Sequence, residues 1–138
     1  MDAPAKPRLI VVDDEPDMLE FVERVMRRKY DVTACSSADD ALMALRGADF
    51  GVLITDQKMP RVSGLELLER IAGQYPALVR VLLSGFTDVP ALERAIELGH
   101  VHGYVLKPVD SQRLLAAIDQ AHRVRDGAPF VAPDESQY

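Results

Sequence analysis

The stretch from Val52 to Pro60 is a short apolar run that ends at a carboxylate and continues into a proline-containing loop. Runs of this kind are typical of buried strands in a parallel sheet. An acidic residue at the carboxyl end of such a strand lies where open α/β sheets bind their ligands. We therefore expect Asp56, which follows the run 52–55, to be a functional residue.

Other apolar runs of the sequence also end in polar residues. Residues 9–12 are followed by Asp13 and Asp14, residues 78–83 by Ser84, and residues 104–106 by Lys107. The carboxyl ends of parallel strands lie at one edge of their sheet, so these polar residues should meet there. The residues that we expect at this edge are Asp13, Asp14, Asp56, Ser84 and Lys107.

Predicted strands and amphipathic helices alternate five times along the chain. This alternation predicts an α/β fold with one parallel sheet, covered by helices on both faces and joined by right-handed crossovers. The predicted strands are residues 9–12, 30–34, 52–55, 78–83 and 104–106, each followed by a helical pattern. The predicted helix starts are Pro16, Ser36 or Ser37, residue 65, Val89, and Asp110 or Ser111.

The chain of 138 residues is expected to form one domain. Residues 1–7 lack periodicity and are predicted to be a disordered lead-in. Residues 8–125 form the predicted domain. Residues 126–138 return to a polar composition with glycine and proline, which predicts a flexible tail or the start of a linker.

The composition excludes several classes of protein. A net charge of −6 argues against nucleic-acid binding, which needs a clustered basic surface. No apolar run approaches the ~18 residues of a membrane span, and residues 1–7 lack the apolar segment of a signal peptide. The single cysteine, Cys35, cannot form an internal disulfide and is predicted to be a small buried side chain. Together these features favour a cytoplasmic protein.

The predicted cluster of carboxylates indicates a cation site. Asp13, Asp14 and Asp56 would repel one another in one crevice, and a divalent cation would relieve that repulsion. All-oxygen ligands favour Mg²⁺ over Zn²⁺, and Mg²⁺ commonly bridges carboxylates to a phosphate. Lys107 would supply a positive charge for the same phosphate. A carboxylate can also act as a nucleophile toward phosphorus and form an aspartyl phosphate.

Four motifs together resemble the receiver domain of bacterial two-component response regulators. The resemblance covers residues 8–125 and implies a flavodoxin-like, doubly wound sheet of five parallel strands in the order 2-1-3-4-5, with five helices. The motifs are residues 11–16 (VVDDEP), 54–60 (ITDQKMP) with Gly64 after them, 83–85 (LSG) and 104–108 (YVLKP).

The resemblance implies a role for each residue of the phosphorylation site. Asp56 corresponds to the phosphoacceptor. Asp14 corresponds to a direct Mg²⁺ ligand, Asp13 to a ligand acting largely through water, and Gln57 to a residue whose backbone carbonyl completes the coordination. Two further residues, Ser84 and Lys107, correspond to those that bind the phosphoryl oxygens.

The resemblance also implies a switch. Tyr104 corresponds to an aromatic residue that turns inward when Ser84 moves toward the phosphate, and the bond between Lys107 and Pro108 corresponds to a cis peptide. The sequence departs from the family pattern in two places. Ser84 stands where threonine is also frequent, and residues 99–104 are one residue longer than the commonest form, which affects the assignment of Tyr104.

The function implied by the resemblance is signalling, with no catalysis beyond the chain's own phosphotransfer and autodephosphorylation. A histidine kinase or phosphotransfer protein would phosphorylate Asp56. The surface of the fourth helix, fifth strand and fifth helix, roughly residues 89–125, would then change. A partner, a second copy of the chain or a tethered output domain would recognise that surface.

Two other functions are compatible with the same residues. A Mg²⁺-dependent phosphohydrolase with an aspartate nucleophile would share the fold class, although the sequence has Asp13-Asp14 rather than an Asp-x-Asp pair and no cap insertion. A pseudo-receiver would act as an interaction module without phosphorylation. It is disfavoured because every residue that the chemistry needs is present.

Several residues also have a simpler structural interpretation. Tyr104 could be a half-buried core tyrosine, because aromatic residues favour strands. His100 and His102 are predicted to be surface residues, since no third metal ligand lies near them in the pattern. The basic residues 24–29 are predicted to form a solvated helix end, and Met59 to pack within its loop.

Overall fold

One sheet with helices on both faces makes up the part of the chain that the structure describes. The structure is a computed structural model that describes residues 5–132, apart from the side chain of Phe86. The strands are β1 (Arg8–Val12), β2 (Asp31–Cys35), β3 (Val52–Asp56), β4 (Val79–Ser84) and β5 (Gly103–Leu106). The helices are α1 (Pro16–Met26), α2 (Ala38–Gly47), α3 (Gly64–Ala72), α4 (Val89–Glu97) and α5 (Ser111–Arg125), with a 3₁₀ turn at Phe86–Asp88.

The strands are all parallel and lie in the order β2-β1-β3-β4-β5. This confirms the predicted flavodoxin-like order. Hydrophobic residues of α2, α3 and α4 pack on one face of the sheet, and those of α1 and α5 pack on the other. The order reverses direction between β1 and β3, which is where doubly wound sheets open a crevice at their carboxyl edge.

The central strands explain the apolar runs of the sequence. Every residue of β3 and β4 is buried, because each of these strands has a neighbour on both sides and helices on both faces. Burying one large aliphatic side chain contributes about 1.5–3 kcal/mol to folding, so these strands stabilise the sheet strongly. Their last residues, Asp56 and Ser84, belong to the strands, which fixes their position at the edge of the sheet.

Side-chain caps define where three of the helices begin. Ser37 Oγ accepts a hydrogen bond from the backbone of Asp40, so Ser37 rather than Ser36 is the cap of α2. Asp110 rather than Ser111 caps α5. The sequence analysis missed the capping box of α3, in which Ser63 and Glu66 bond to each other's backbone N–H groups.

The prediction that His102 is a surface residue is wrong. His102 is only 7% exposed, and its Nδ1 accepts a hydrogen bond from the Arg80 backbone N–H over 3.0 Å. The Arg80 guanidinium is also buried and donates to backbone carbonyls of surrounding loops. Burial lowers the pKa of Arg80, and burial together with Arg80 lowers the pKa of His102 to about 4. The carbonyls that accept from Arg80 are those of Tyr75, Leu78, Gly99 and His100.

Other side chains lie where the sequence predicts them. Cys35 is buried, and this burial raises the pKa of its thiol. Met59 packs against the core beside its loop, and Arg24 and Arg27 are exposed at the end of α1. Within residues 5–132, no helix has both the length and the apolar character that crossing a bilayer requires.

The chain after α5 folds back onto the domain. Gly127 has a φ of 106°, a conformation that glycine adopts without strain, and the chain reverses there. The Phe130 ring then lies 5.4 Å from the Tyr104 ring, measured between centroids. Residues 128–132 have no regular secondary structure. The remainder of the predicted tail, 133–138, and residues 1–4 of the predicted lead-in lie outside the described residues.

Candidate functional site

Three carboxylates meet at the carboxyl edge of the sheet. Asp13 follows β1 and Asp56 ends β3, and these strands are hydrogen-bonded neighbours with Val12 opposite Thr55. One oxygen each from Asp13, Asp14 and Asp56 lie within 4.8 Å of one another. Asp13 and Asp56 are 1% and 4% exposed, whereas Asp14 is exposed. The sheet thus brings together residues that are more than forty positions apart in sequence.

Asp13 carries a negative charge in a buried position. Its Oδ1 accepts a hydrogen bond from the Glu15 backbone over 2.9 Å, while its Oδ2 is buried without a hydrogen-bond partner among the described residues. Burial, reinforced by the charge of Asp56, raises the pKa of Asp13 to about 6, although the Glu15 N–H opposes this shift. An unpartnered buried carboxylate oxygen is costly, and a cation would satisfy it.

Lys107 forms an ion pair with Asp56, the phosphoacceptor candidate. Its Nζ is 2.5 Å from Asp56 Oδ1, so the lysine ammonium donates to this buried carboxylate oxygen. The Lys107 backbone N–H donates to the Ser84 carbonyl over 2.8 Å, which fixes the lysine next to β4. Burial opposes the charged form of Lys107, but Asp56 and then Asp13 outweigh it and raise the lysine pKa. The Lys107–Pro108 peptide bond is cis.

Ser84 lies at the same edge but contacts a residue that the sequence analysis did not single out. Its Oγ donates a hydrogen bond of 2.8 Å to Asp88 Oδ2, at the end of the 3₁₀ turn before α4. Asp88 looks from sequence like a helix cap before Val89 and Pro90, but its side chain makes no capping bond. The spacing of four residues between Ser84 and Asp88 was the feature of the sequence from which this hydrogen bond could have been predicted.

The loop after β3 is held in place by Gln57 and Gly64. The Gln57 carbonyl, a predicted Mg²⁺ ligand, accepts a hydrogen bond of 2.9 Å from the Gly64 N–H. The Gln57 side chain accepts another from the Leu65 N–H at the start of α3. A Cβ on Gly64 would lie 2.3 Å from the Asp56 carbonyl oxygen, so only glycine fits there. Between them, Arg61 adopts a φ of 70°, which non-glycine residues seldom do.

Tyr104 is a buried residue of β5, opposite Leu82 of β4. It is 3% exposed and belongs to the hydrophobic cluster on the α4 side of the sheet. Ser84 lies two residues after Leu82 on β4. The two proposed switch residues, Ser84 and Tyr104, therefore lie on paired strands.

The donor set at this edge fits a hard divalent cation. It consists of carboxylate oxygens, one of them buried and unsatisfied, with neither histidine nor cysteine in the cluster. Mg²⁺ prefers oxygen ligands and keeps several waters, which suits a cluster that is open at Asp14. Lys107 adds a cation 2.5 Å from Asp56. The arrangement can therefore bind a metal ion and a phosphoryl group next to each other.

Comparison with known proteins gives consistent matches. Residues 9–119 match the family described as the response regulator receiver domain. The chain is 31% identical to the hydrogenase transcriptional regulatory protein HoxA of Cupriavidus necator over 113 residues, covering 82% of this chain and 23% of that protein. It is 32% identical to the transcriptional regulatory protein FixJ of Bradyrhizobium diazoefficiens over 124 residues, covering 89% and 60%.

Solved structures agree with the fold. A response regulator receiver domain protein from Clostridium thermocellum superimposes with a TM-score of 0.78 at 28% identity, covering 87% of this chain and 97% of that one. The chain spans about a quarter of the length of HoxA and three fifths of FixJ. The family match covers residues 9–119, and the strand order is the one that the family resemblance implies. The chain therefore belongs to the response regulator receiver domain family of two-component systems.

Proposed function

We propose that this receiver domain accepts a phosphoryl group on Asp56 from a histidine kinase or phosphotransfer protein, with Mg²⁺ as cofactor. The observation that carries the proposal is the surroundings of Asp56. Its carboxylate lies within 4.8 Å of oxygens of Asp13 and Asp14 and within 2.5 Å of the Lys107 ammonium. The three carboxylates supply the oxygen ligands that Mg²⁺ prefers, and the lysine supplies a cation for a phosphoryl group.

The transfer is an in-line displacement in which Asp56 is the nucleophile. A carboxylate oxygen of Asp56 forms a bond to phosphorus while the bond from phosphorus to the donor histidine nitrogen breaks. Bound Mg²⁺, held by Asp13, Asp14, Asp56 and the Gln57 carbonyl, would offset the charge of the phosphoryl oxygens. Lys107 also stabilises the phosphoryl charge, since its ammonium already faces Asp56.

Phosphorylation then acts on Ser84 by electrostatics. The phosphoryl group adds a charge of about −2 at the end of β3 and three strong acceptor oxygens. These acceptors compete with Asp88 for the Ser84 hydroxyl. Movement of Ser84 changes the start of α4 and the packing around Tyr104, which biases an existing equilibrium between two states.

The changed surface is that of α4, β5 and α5. We propose that a partner protein, an output domain or a second copy of the chain recognises it, and that the protein works in the cytoplasm. Its chemistry is confined to its own phosphotransfer and autodephosphorylation.

The experiment that tests this function is intact mass measurement after incubation with acetyl phosphate and Mg²⁺. We expect one added phosphoryl group on the wild type, none on Asp56→Asn, and wild-type behaviour for Asp49→Asn, an exposed acid elsewhere. If the phosphorylated form is too short-lived to detect by mass, binding of the phosphoryl analogue beryllofluoride tests the same site. A phosphorylated Asp56→Asn, or a wild type that takes neither ligand, contradicts the proposal. Repeated release of phosphate from small phosphomonoesters would identify a hydrolase instead.

A further inference from the structure

The chain after α5 makes a defined turn that directs it back along the domain. The turn is closed by the backbone: Gly127 N–H donates to the Val124 carbonyl and Ala128 N–H to the Arg123 carbonyl, over 3.0 and 2.9 Å. Gly127 has the positive φ that such a helix ending requires. The segment after α5 therefore has a direction set by hydrogen bonds.

Two contacts then attach the returning segment to α5 and β5. The Val131 N–H donates to Gln120 Oε1 over 2.6 Å, which joins the segment to a residue eleven positions earlier in α5. The Phe130 ring packs against Tyr104 with a centroid distance of 5.4 Å and an interplanar angle of 41°. Tilted aromatic pairs at this distance attract beyond the burial of their area. Residues 128–131 thus lie on the face formed by α4, β5 and α5.

The Phe130 ring packs on the hydrophobic cluster that includes residues of α4. Leu92 and Ala95 of α4 belong to this cluster together with Tyr104. The position of α4 and the seat of Phe130 are therefore connected through shared packing. A movement of α4 or of the Tyr104 ring changes the surface that Phe130 contacts.

We propose that residues 128–131 are an intramolecular cover of the α4-β5-α5 face, anchored by Phe130, and that phosphorylation releases it. The proposal rests on the function proposed above. Phe130 is seated in the same structure in which Ser84 is bonded to Asp88. Drawing Ser84 toward a phosphoryl group breaks that bond at the start of α4, so the seat belongs to the resting state. A partner of the face must then displace Phe130.

Linkage gives the proposal a measurable consequence. If the cover stabilises the resting state, removing its anchor must tighten binding at the phosphorylation site, and ligand at that site must weaken the cover by the same factor. We expect Phe130→Ala to bind beryllofluoride with Mg²⁺ about three- to tenfold more tightly than the wild type. Phe130→Leu keeps an apolar anchor and should fall between the two.

Val131→Ala is the matched control, because Val131 is in the same segment, is 68% exposed and bonds to Gln120 only through its backbone. Its affinity should stay within about twofold of wild type, as no anchoring contact is lost. Proton NMR of the full chain should show a contact between the Phe130 and Tyr104 rings that disappears with beryllofluoride.

The outcomes separate this inference from the function on which it rests. Absence of the ring contact in the free protein, its persistence with beryllofluoride, or an unchanged or weaker affinity of Phe130→Ala overturns the cover while leaving the phosphorylation site intact. A wild type that does not bind beryllofluoride overturns the proposed function, and the release of the cover with it.

Discussion

The Ser84 hydroxyl donates its hydrogen bond to Asp88, not to Asp56, although both carboxylates lie near the carboxyl end of β4. The bond is 2.8 Å long and joins the last residue of β4 to the residue that precedes α4. Any ligand of Asp56 that requires this hydroxyl must compete with the Asp88 carboxylate. Asp88 therefore favours the position that Ser84 has in this structure.

Asp88→Ala should shift the domain toward the state that binds a phosphoryl group. The substitution removes the acceptor of Ser84 without removing a helix cap, because the Asp88 side chain does not cap α4. Hydrogen bonds to charged groups contribute about 1.5–3 kcal/mol, so we expect beryllofluoride to bind roughly tenfold more tightly. Glu93→Ala, an exposed acid on α4, is the control. Equal affinities for Asp88→Ala and wild type would show that this bond does not oppose activation.

Gly64→Ala should destabilise the domain and weaken Mg²⁺ binding together. The new methyl group would meet backbone atoms, 2.3 Å from the Asp56 carbonyl oxygen and 3.1 Å from Gln57 Cα, so the loop after β3 must move. We expect a loss of about 1–3 kcal/mol in the free energy of unfolding, measured in urea. Gly73→Ala has no atom within 4 Å of the added methyl and should not lose stability. If both variants unfold alike, the close approach at Gly64 is not what restricts this position.

Arg61 offers a stabilising substitution next to the site. Its φ of 70° is unfavourable for most side chains, while asparagine adopts this region more readily. Arg61→Asn should therefore gain up to about 1 kcal/mol, and Arg61→Val, with a branched Cβ, should lose stability. The midpoint of thermal unfolding of each variant, compared with that of the wild type, tests this expectation. A lower midpoint for the asparagine variant would mean that the arginine side chain contributes more than its backbone costs.

His102 should make stability depend on pH between about 4 and 6.5. Burial lowers its folded pKa to about 4 from 6.5, so the unfolded chain binds a proton more readily in this interval. The stabilising effect is complete above pH 6.5 and is lost as the pH falls toward 4. Lowering the pKa of His102 from 6.5 to about 4 corresponds to an effect of about 3 kcal/mol on the free energy of unfolding.

The measurement for His102 is the difference between wild type and His102→Asn in urea unfolding at several pH values. Asp13 acts in the opposite direction in the same interval, because its folded pKa is raised to about 6, but it is present in both proteins and cancels. The difference between the two free energies should shrink as the pH falls from 6.5 to 4. Parallel curves would mean that His102 titrates normally in the folded protein.

The sequence was sufficient to predict the sheet and the acidic residues at its carboxyl edge, for a physical reason. Strands buried on both faces must be almost entirely apolar, so a change to a polar residue at their ends is visible without a structure. Asp56 and Ser84 are such ends. The strand order followed from the family motifs, since periodicity alone does not specify which strands pair.

What the sequence did not predict depends on contacts between distant segments. Arg80 interrupts an apolar strand, and its buried charge is satisfied by loop carbonyls that no local pattern reveals. His102 is buried because it packs beside that arginine. Phe130 lies in a stretch without periodicity, and its contact with Tyr104 arises only because the chain reverses at Gly127.

The carboxyl edge of the sheet brings side chains from distant chain segments into short range. Asp13, Asp56 and Lys107 are separated by most of the domain in sequence, and they come together only when β1, β3 and β5 are all in register. A divalent cation bound by Asp13, Asp14 and Asp56 would therefore stabilise the folded domain by about 1.4 kcal/mol for each tenfold excess of its concentration over its dissociation constant. We expect magnesium to raise the melting temperature of the entire domain, so that free magnesium in the cell would help to determine how much folded receiver it contains.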